Sequence, residues 1–451
     1  MKQQPILCSL LLGGVVCSPT TVHSDTASAG LAPLIEQALA NNPDLMVQKA
    51  RLAEAEARLQ EATAAFLPRL SARVGYEYTN DPSRAFAYIV AQRRFDFGMD
   101  INQPGWVDNF RPELMASWSL YRGGEDHYRR QAAALGVEAA ALEQQALQNR
   151  LAAAVTAAWY TWRMAPEQME VARQSLQSIA AEQNHTRQRV EQGMALKADV
   201  LSLDVRQSAS REAEIRAGNA LTLARSSLQM LVGGEVTDTP APPAPTLPNP
   251  PPAIATLLQQ ALDHRPELQA ANRQKALRAA ELRAEKAAFL PRVTAYTAYG
   301  LNSRGPDINF SQDNLTLGLN AEVDLFSGGA TRARIAAAEQ RLVAAEALIQ
   351  RTRLGIEDEV RRAAATLGET LKRSETAERG QQAADEALRL VHLQYQAGSA
   401  AVTRYLDAET DRAEARLRAI MAHYEAYIAD AQLQQAVGTL SIPANRTHSH
   451  D

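Results

Sequence analysis

In four stretches of the chain, apolar and polar residues alternate with the period of two that places them on opposite faces of a β-strand. The alternation is clearest over residues 315–325, where Leu, Ala and Val alternate with mostly polar residues, among them Thr, Asn, Glu and Asp. Residues 70–78 and 114–120 show the same pattern, and residues 293–299 show it less regularly. Runs of about 9–11 residues with one apolar and one charged face are typical of strands that cross a lipid bilayer. A half-buried sheet in a soluble α+β domain is the alternative.

Long segments rich in Ala, Glu, Arg and Leu surround these stretches. These four residue types are strong helix formers. One of them has apolar residues every seven positions, at Ile335, Leu342, Ile349 and Ile356, which is typical of a coiled-coil seam. The longest segments would form helices of roughly 100 Å. One such helix can lie antiparallel to two shorter helices stacked end to end. The sequence predicts helices over residues 31–67, 125–191, 196–232, 253–290, 330–396 and 402–437.

The chain contains an internal duplication. Residues 66–69 (Phe-Leu-Pro-Arg) recur as residues 289–292, at an offset of 223. Residues 120–124 (Leu-Tyr-Arg-Gly-Gly) correspond to residues 325–329 (Leu-Phe-Ser-Gly-Gly), at an offset of 205. Order and spacing both hold, so we infer two copies of one unit, each with a helix, a strand pair, a long helix and a shorter helix.

The organisation expected from this duplication has five parts. A signal peptide with its cleavage region precedes the first repeat, and a Pro-rich stretch that cannot be helix or central strand links the two repeats. A disordered tail follows the second repeat. The expected boundaries are 1–29 for the signal, 30–239 for the first repeat, 240–252 for the linker, 253–440 for the second repeat and 441–451 for the tail.

The N-terminus has the features of an export signal. Lys2 precedes a short apolar stretch over residues 6–16, which is too short to span a bilayer as a helix. Both cysteines, Cys8 and Cys17, lie in this segment, so the mature chain would contain neither disulfides nor a thiolate site. The cleavage position, and whether Cys17 is lipidated, stay open.

The number of strands predicts an oligomer. Two strands per copy give four per chain, whereas membrane barrels start at about eight strands. Unpaired strand edges are not tolerated in lipid, so several chains must share one barrel. Three chains would supply twelve strands, and the same oligomer would arrange the long helices as a second tube in the periplasm.

Composition and motifs exclude other classes of function. The chain has 47 basic and 51 acidic residues and a formal charge of −4, without a basic block, so no nucleic-acid partner is predicted. It has no Walker loop, His-Glu-x-x-His or Gly-x-Ser-x-Gly motif. We therefore predict no enzyme activity, no cofactor and no metal site, and expect that a partner supplies any energy that the protein's function needs.

These features together resemble the TolC-like outer-membrane efflux protein family. The resemblance covers nearly the whole mature chain and rests on an ordered set of motifs. They are the turns at Pro43 and Pro266, the Phe-Leu-Pro-Arg helix ends, the Gly-Gly strand exits and two tip segments over residues 190–201 and 395–408.

The resemblance implies a mixed α and β membrane protein, a homotrimer in which a shared twelve-stranded transmembrane β-barrel stands above a long α-helical coiled-coil barrel. It further implies contact with outer-membrane lipid, a periplasmic adaptor protein and an inner-membrane pump. The expected location is the cell outer membrane, with a periplasmic helical extension.

The resemblance also assigns roles at the tip. Asp199 and Asp407 occupy positions where the family commonly has Asp in the periplasmic gate. Arg404 stands where an Asp is expected, so the ring need not be purely acidic. A ring that alternates Arg404 with carboxylates could be held shut by ion pairs, and whether Arg404 takes part in the gate stays open. A second reading of the two aspartates is that they are solvated carboxylates near helix starts, where the helix dipole favours negative charge.

The tip turns are the expected docking surface for the adaptor. The residues there are Gly193, Met194, Gly398 and Ser399. Each glycine follows a long helix, so a helix C-cap explains it in any helical hairpin.

The predicted function is that of an exit duct in a tripartite efflux or type I secretion system, which passively conducts solutes from the adaptor and pump to the outside. A soluble exported coiled-coil scaffold is the alternative. The sequence leaves open whether the cargo is a drug, a metal ion or a polypeptide, and which adaptor and pump it meets.

Overall fold

The computed structural model describes residues 28–236, 246–308 and 310–440. The predicted tail, the first part of the Pro-rich linker and all but the last two residues of the predicted signal segment lie outside the described residues. The chain forms nine helices and four strands in these ranges. The helices are α1 (Ser28–Asn41), α2 (Pro43–Ala64), α3 (Pro82–Ala91), α4 (Glu125–Glu191), α5 (Lys197–Val232), α6 (Ile254–His264), α7 (Pro266–Lys286), α8 (Ala330–Gln396) and α9 (Val402–Val437). The strands are β1 (Arg69–Thr79), β2 (Val107–Arg122), β3 (Arg292–Leu301) and β4 (Asp313–Glu322).

The two long helices and the helices that follow them lie where the sequence predicts, and α4 and α8 each have 67 residues. The prediction of one continuous helix over residues 31–67 and one over 253–290 is wrong. Each is broken in two, before Pro43 and before Pro266. Proline has no backbone N–H and disfavours helical geometry in the residue before it, so each proline begins a new helix instead of continuing the old one.

Residues 79–111, which make up most of the segment between the first two predicted strands and were expected to form one long loop, contain a helix. This helix, α3, has Pro82 in its first turn, and the Asp81 carboxylate accepts bonds from backbone N–H groups at its start. Ala85 and Ile89, one turn apart, are buried against Val107. Strand β2 begins at Val107, seven residues before the predicted start, and residues 92–106 connect α3 to β2.

The strands form one antiparallel sheet in the order β1-β2-β3-β4. Its register places the apolar residues of all four strands on one face. Leu70 of β1 lies opposite Ala116 of β2, which lies opposite Thr297 of β3, which lies opposite Leu317 of β4. The register therefore explains the irregular third stretch, because Thr297 belongs to the apolar face.

Two local features complete the sheet. Tyr296 lies on the polar face, opposite Gly318, where a Cβ atom would collide with the tyrosine ring. A β-bulge shifts the register between Ser119 and Tyr121, so that Tyr121 pairs with Val293. The simple alternation therefore ends at Leu120, because a bulge inserts an extra residue and reverses the alternation beyond it.

The helices form one layer of four rows. The first row contains α2 and α5 stacked end to end, the second is α4, the third contains α7 and α9, and the fourth is α8. Apolar clusters lie between the rows, one around Trp159 and Leu228 and another around Val360 and Leu433. No helix in the described part of the chain has both the length and the apolar composition that a membrane crossing requires.

Candidate functional site

The predicted tip lies at the end of the helical layer farthest along the chain from the sheet, where α4 turns into α5 and α8 turns into α9. Both turns have the same hydrogen bonds. The Met194 N–H donates to the Arg189 carbonyl at 2.7 Å, and the Gly193 N–H donates to the Val190 carbonyl at 2.9 Å. This pattern is a Schellman motif, and Gly193 has the positive φ of 76° that it requires.

The second turn repeats the first. The Ser399 N–H donates to the Gln394 carbonyl at 2.9 Å, and the Gly398 N–H donates to the Tyr395 carbonyl at 3.0 Å. Gly398 has a φ of 74°, and a Cβ atom there would meet nothing within 4 Å. Glycine is therefore required by the backbone conformation and not by lack of space.

The side chains of the two turns differ in what they present. Met194 is 61% exposed and leaves an apolar group in solvent. Ser399 is exposed, but its Oγ donates back to the Gln394 carbonyl at 3.0 Å. The first turn therefore offers an apolar contact and the second a locally satisfied polar one.

Asp199 is tied to the start of α5. Its Oδ2 accepts a bond from the Leu196 N–H at 3.2 Å, as the third residue of a helix does when it caps the N-terminus. The side chain is half-buried. This geometry supports the second reading of Asp199, a carboxylate that stabilises a helix start.

Arg404 and Asp407 lie one turn apart on α9, and both are exposed. In the part of the chain that the structure describes, neither forms a salt bridge. Asp407 lines a cavity of about 200 Å³ between α5 and α9. Beside it, the Nη2 of Arg206 donates to the Leu406 carbonyl at 3.4 Å. Both charges are therefore accessible to solvent on α9.

Sequence analysis did not single out the aromatic residues that support the tip. The rings of Tyr395 and Tyr405 are stacked with centroids 5.5 Å apart, and both residues are buried. The Tyr395 hydroxyl lies 3.1 Å from the Thr186 hydroxyl of α4. Ile179 and Leu203 complete this cluster, which joins α4, α5, α8 and α9. The turns therefore rest on a packed core and not on a flexible end.

A buried carboxylate lies one turn above this core. Glu409 is 2% exposed, and burial raises the pKa of its carboxyl, against the opposing effect of Arg412 and Arg416. The Arg412 Nη1 lies 3.5 Å from Glu409, and its Nε donates to Asp385 of α8 at 2.9 Å. The position of Glu409 one helical turn after Tyr405 was the signal that could have predicted its burial.

The described residues contain no group of three or more His, Cys, Asp or Glu side chains that could hold a metal ion. The tip offers charges, two hydrogen-bonded turns and an apolar contact. Such an arrangement can attract, exclude or bind other molecules.

Comparison with known proteins identifies the family. The sequence model of the "Outer membrane efflux protein" family matches residues 34–234 and 257–439. The chain is 23% identical to the outer membrane protein TolC of Vibrio cholerae, over 98% of this chain and 96% of that protein. It is 26% identical to the alkaline protease secretion protein AprF of Pseudomonas aeruginosa, over 71% of this chain and 66% of that protein.

The fold agrees with solved structures. A structure of CusC superposes with a TM-score of 0.79 at 19% sequence identity, covering 91% of this chain and 92% of that chain. The two matched segments confirm the duplication, and the matched family consists of channel proteins. At the level of the family, the predicted fold class, the outer-membrane location and the efflux or secretion function are confirmed. The chain belongs to the outer membrane efflux protein family.

Proposed function

We propose that this protein is the passive outer-membrane exit duct of a tripartite efflux or secretion system. Three copies close one channel, a periplasmic adaptor docks on the tip, and an inner-membrane pump supplies the energy. The chain itself catalyses no reaction and needs no cofactor. Family membership alone does not give the number of copies in the channel, the adaptor and pump partners or the gate residues, and these are proposed here.

The observation that carries the proposal is the pair of open edges in the sheet. Strands β1 and β4 are the edge strands, and among the described residues each pairs with one neighbour only. Their apolar faces are exposed, with Leu70 and Val74 about two-thirds exposed, as are Leu315 and Leu319. An exposed apolar face is unfavourable in water, and unpaired backbone edges are not tolerated in lipid. Pairing β4 of one copy with β1 of the next removes the unpaired edges, and lipid covers the apolar face.

The helical layer has matching open edges. Helix α5, in one edge row, carries exposed apolar residues that all lie on one face: Leu201, Val205, Ile215, Leu223 and Met230. Helix α8, the opposite edge row, carries a shorter set on one face: Val343, Leu354, Leu390 and Leu393. Closure of a ring would bury both sets, because hydrophobic area removed from water stabilises association. Three layers of four rows would give a twelve-helix tunnel.

At the tip, the two Schellman turns are proposed as the adaptor-docking surface. They are rigid, because the Tyr395–Tyr405 core supports them. Met194 offers an exposed apolar contact, with Gly193, Gly398 and Ser399 shaping the backbone around it.

The proposed gate lies beside these turns. Arg404 and Asp407 have no ion-pair partner within the described chain, so they can pair with charges of neighbouring copies where the tip narrows. Asp199 contributes a charge there while it caps α5.

The predicted unit boundaries remain part of the proposal. The signal segment, residues 1–29, would be removed on export. Residues 30–239 and 253–440 would act as the two halves of each copy, joined by the linker at 240–252 and followed by the tail at 441–451.

Ion conduction tests the proposed function. The protein, purified in detergent and added to a planar lipid bilayer, is expected to give discrete conductance steps. A soluble scaffold would give none and would stay in solution without detergent. Absence of conductance from a protein that fractionates with the outer membrane would contradict a duct.

A further inference from the structure

A charged cavity lies in the helical layer close to the sheet. It has a volume of about 540 Å³, and its lining comes from α2, α4, α7 and α8, which means from all four rows. Adjacent helix axes lie about 8–10 Å apart. A flat layer would place the axes of the two edge rows about 24–30 Å apart. A lining drawn from all four rows therefore indicates rows that curve around the cavity, which places it on the concave side of the layer.

Each of the four helices contributes one arginine to the lining. These residues are Arg58 of α2, Arg129 of α4, Arg278 of α7 and Arg341 of α8. Arg58 and Arg129 lie within about three helical turns of the sheet at 1.5 Å per residue, and Arg278 and Arg341 lie slightly farther away. The four guanidinium groups thus form a belt at one level of the layer.

Acidic residues only partly neutralise this belt. Glu281 and Glu285 also line the cavity, and the Arg278 Nη1 lies 2.8 Å from Glu281. Glu285 lies 4.0 Å from Arg334, which is outside the lining. The lining residues therefore carry an excess of positive charge.

The remaining arginines keep donors available. Arg58 and Arg129 pair with Glu54 and Glu125, neither of which lines the cavity. The side chain of Arg58 is 71% exposed despite its pair. Arg341 is exposed, and among the residues that the structure describes it has no salt-bridge partner. A guanidinium group has five N–H donors in a fork that fits carboxylate and phosphate oxygens.

We propose that this cavity is a binding site for multivalent oxyanions, solutes that carry several carboxylate or phosphate groups, on their way through the duct. The inference rests on the proposed function, because the concave side becomes the lumen only when copies of the chain close a ring. Three copies would place three such sites at one level. Low-dielectric walls around a narrow lumen focus the field of these charges.

Block of the ion current by inorganic tripolyphosphate tests the site. Wild-type channels in bilayers of uncharged phosphatidylcholine, which exclude anionic lipid as the source of any effect, are compared with the double variant Arg58→Gln/Arg341→Gln. Both side chains are exposed, so folding should be retained. The control is Arg216→Gln/Arg351→Gln, which removes the same charge from exposed positions outside the cavity. Arg216, like Arg58, is 71% exposed and has an i,i+4 glutamate partner.

We expect tripolyphosphate to block wild-type and control channels at the same concentration. The double variant should need a tripolyphosphate concentration roughly tenfold higher or more for the same block, since each lost charged hydrogen bond weakens binding by about that factor. Conducting wild-type channels that tripolyphosphate does not block would overturn the proposal and leave the duct intact. An equal loss in the control variant would overturn it too, since a general charge effect would then explain the block. If the double variant fails to conduct, tripolyphosphate binding to the detergent-solubilised wild type and Arg341→Gln, measured by calorimetry, gives the same comparison. A wild type without conductance contradicts the proposed function itself.

Discussion

The Nη1 atom of Arg265 lies 3.0 Å from the carbonyl oxygen of Ala436, the next-to-last residue of α9. At the equivalent position of the first repeat, the Nδ2 of Asn42 donates to the carbonyl of Leu231, the next-to-last residue of α5, at 3.1 Å. Both donors stand directly before the proline that begins the next helix. Both repeats have therefore kept the same joint: the residue before the proline donates a side-chain hydrogen bond to the end of the helix that packs against the break, α5 or α9. The residue type that donates this bond differs, Asn42 in the first repeat and Arg265 in the second.

Arg265→Ala should destabilise the protein more than Asn42→Ala. The Arg265 side chain is 6% exposed and also pairs with Glu267 and Glu359, so its removal leaves two carboxylates and a carbonyl without their partner. We expect a loss of roughly 1.5–3 kcal/mol for Arg265→Ala and about 1 kcal/mol for Asn42→Ala, which loses a helix cap. Thermal unfolding in detergent, followed by circular dichroism, measures both. Equal effects from Arg265→Ala and the exposed control Arg216→Ala would show that the joint does not stabilise the fold.

Alanine at the tip glycines should be unfavourable. Gly193→Ala or Gly398→Ala places a Cβ atom in a left-handed backbone conformation, which costs about 1–2 kcal/mol per residue. Gly218→Ala is the matched control, because Gly218 lies inside α5 with open space around it and should stabilise the helix by up to about 1 kcal/mol. Unfolding temperatures should shift in opposite directions. A tip variant as stable as the control would contradict the assigned turns.

The stability of the tip should depend on pH through Glu409. Burial raises the pKa of this carboxyl above its ordinary value of 4.5. The folded state therefore binds the proton more tightly, and the stability so contributed is present below pH 4.5 and is lost as the pH rises through the folded pKa.

Glu409→Gln should remove this dependence, so the variant gains stability relative to wild type as the pH rises. The difference in unfolding temperature, measured from pH 4 to pH 8, tests this expectation. The control is Glu414→Gln, whose exposed side chain pairs with Arg418 on the same helix. If the unfolding temperatures of wild type, Glu409→Gln and Glu414→Gln changed with pH in parallel, Glu409 would not be the source of the pH dependence.

Arg404 and Asp407 of α9, which form no salt bridge among the described residues, are the proposed gate charges. Replacing Arg404 and Asp407 together by alanine should raise single-channel conductance, because ion pairs between copies would be lost where the tip narrows. Asp199→Ala should instead reduce stability by about 1 kcal/mol, since it removes a helix cap. A Glu414→Ala/Arg418→Ala double variant removes an exposed pair elsewhere on α9 and should leave conductance unchanged. Unchanged conductance in the Arg404 and Asp407 variant would count against the gate.

Sequence patterns predict most of this fold because they act locally. Glycine fixes the ends of α4 and α8, and the alternation of leucines fixes β4. The turns at Pro43 and Pro266 were recognised as family motifs, but the predicted helices ran through them because the flanking composition is helical on both sides. Only the contacts of the helix ends show that the end of α5 or α9 packs against each break.

The site was less predictable than the fold. The roles of Tyr395, Tyr405 and Glu409 depend on contacts among α4, α5, α8 and α9, which are distant in sequence. The arginine belt was hidden for the same reason, since each of its four members comes from a different helix and none has a distinctive neighbour in sequence.

The account depends most on the claim that one chain cannot close its own channel. Native mass spectrometry of the detergent-solubilised protein tests this claim directly. We predict particles that contain three chains and no stable monomer, because both edges of the sheet and of the helical layer need a neighbour. A monomeric protein that stays in solution after the detergent is removed would contradict the account.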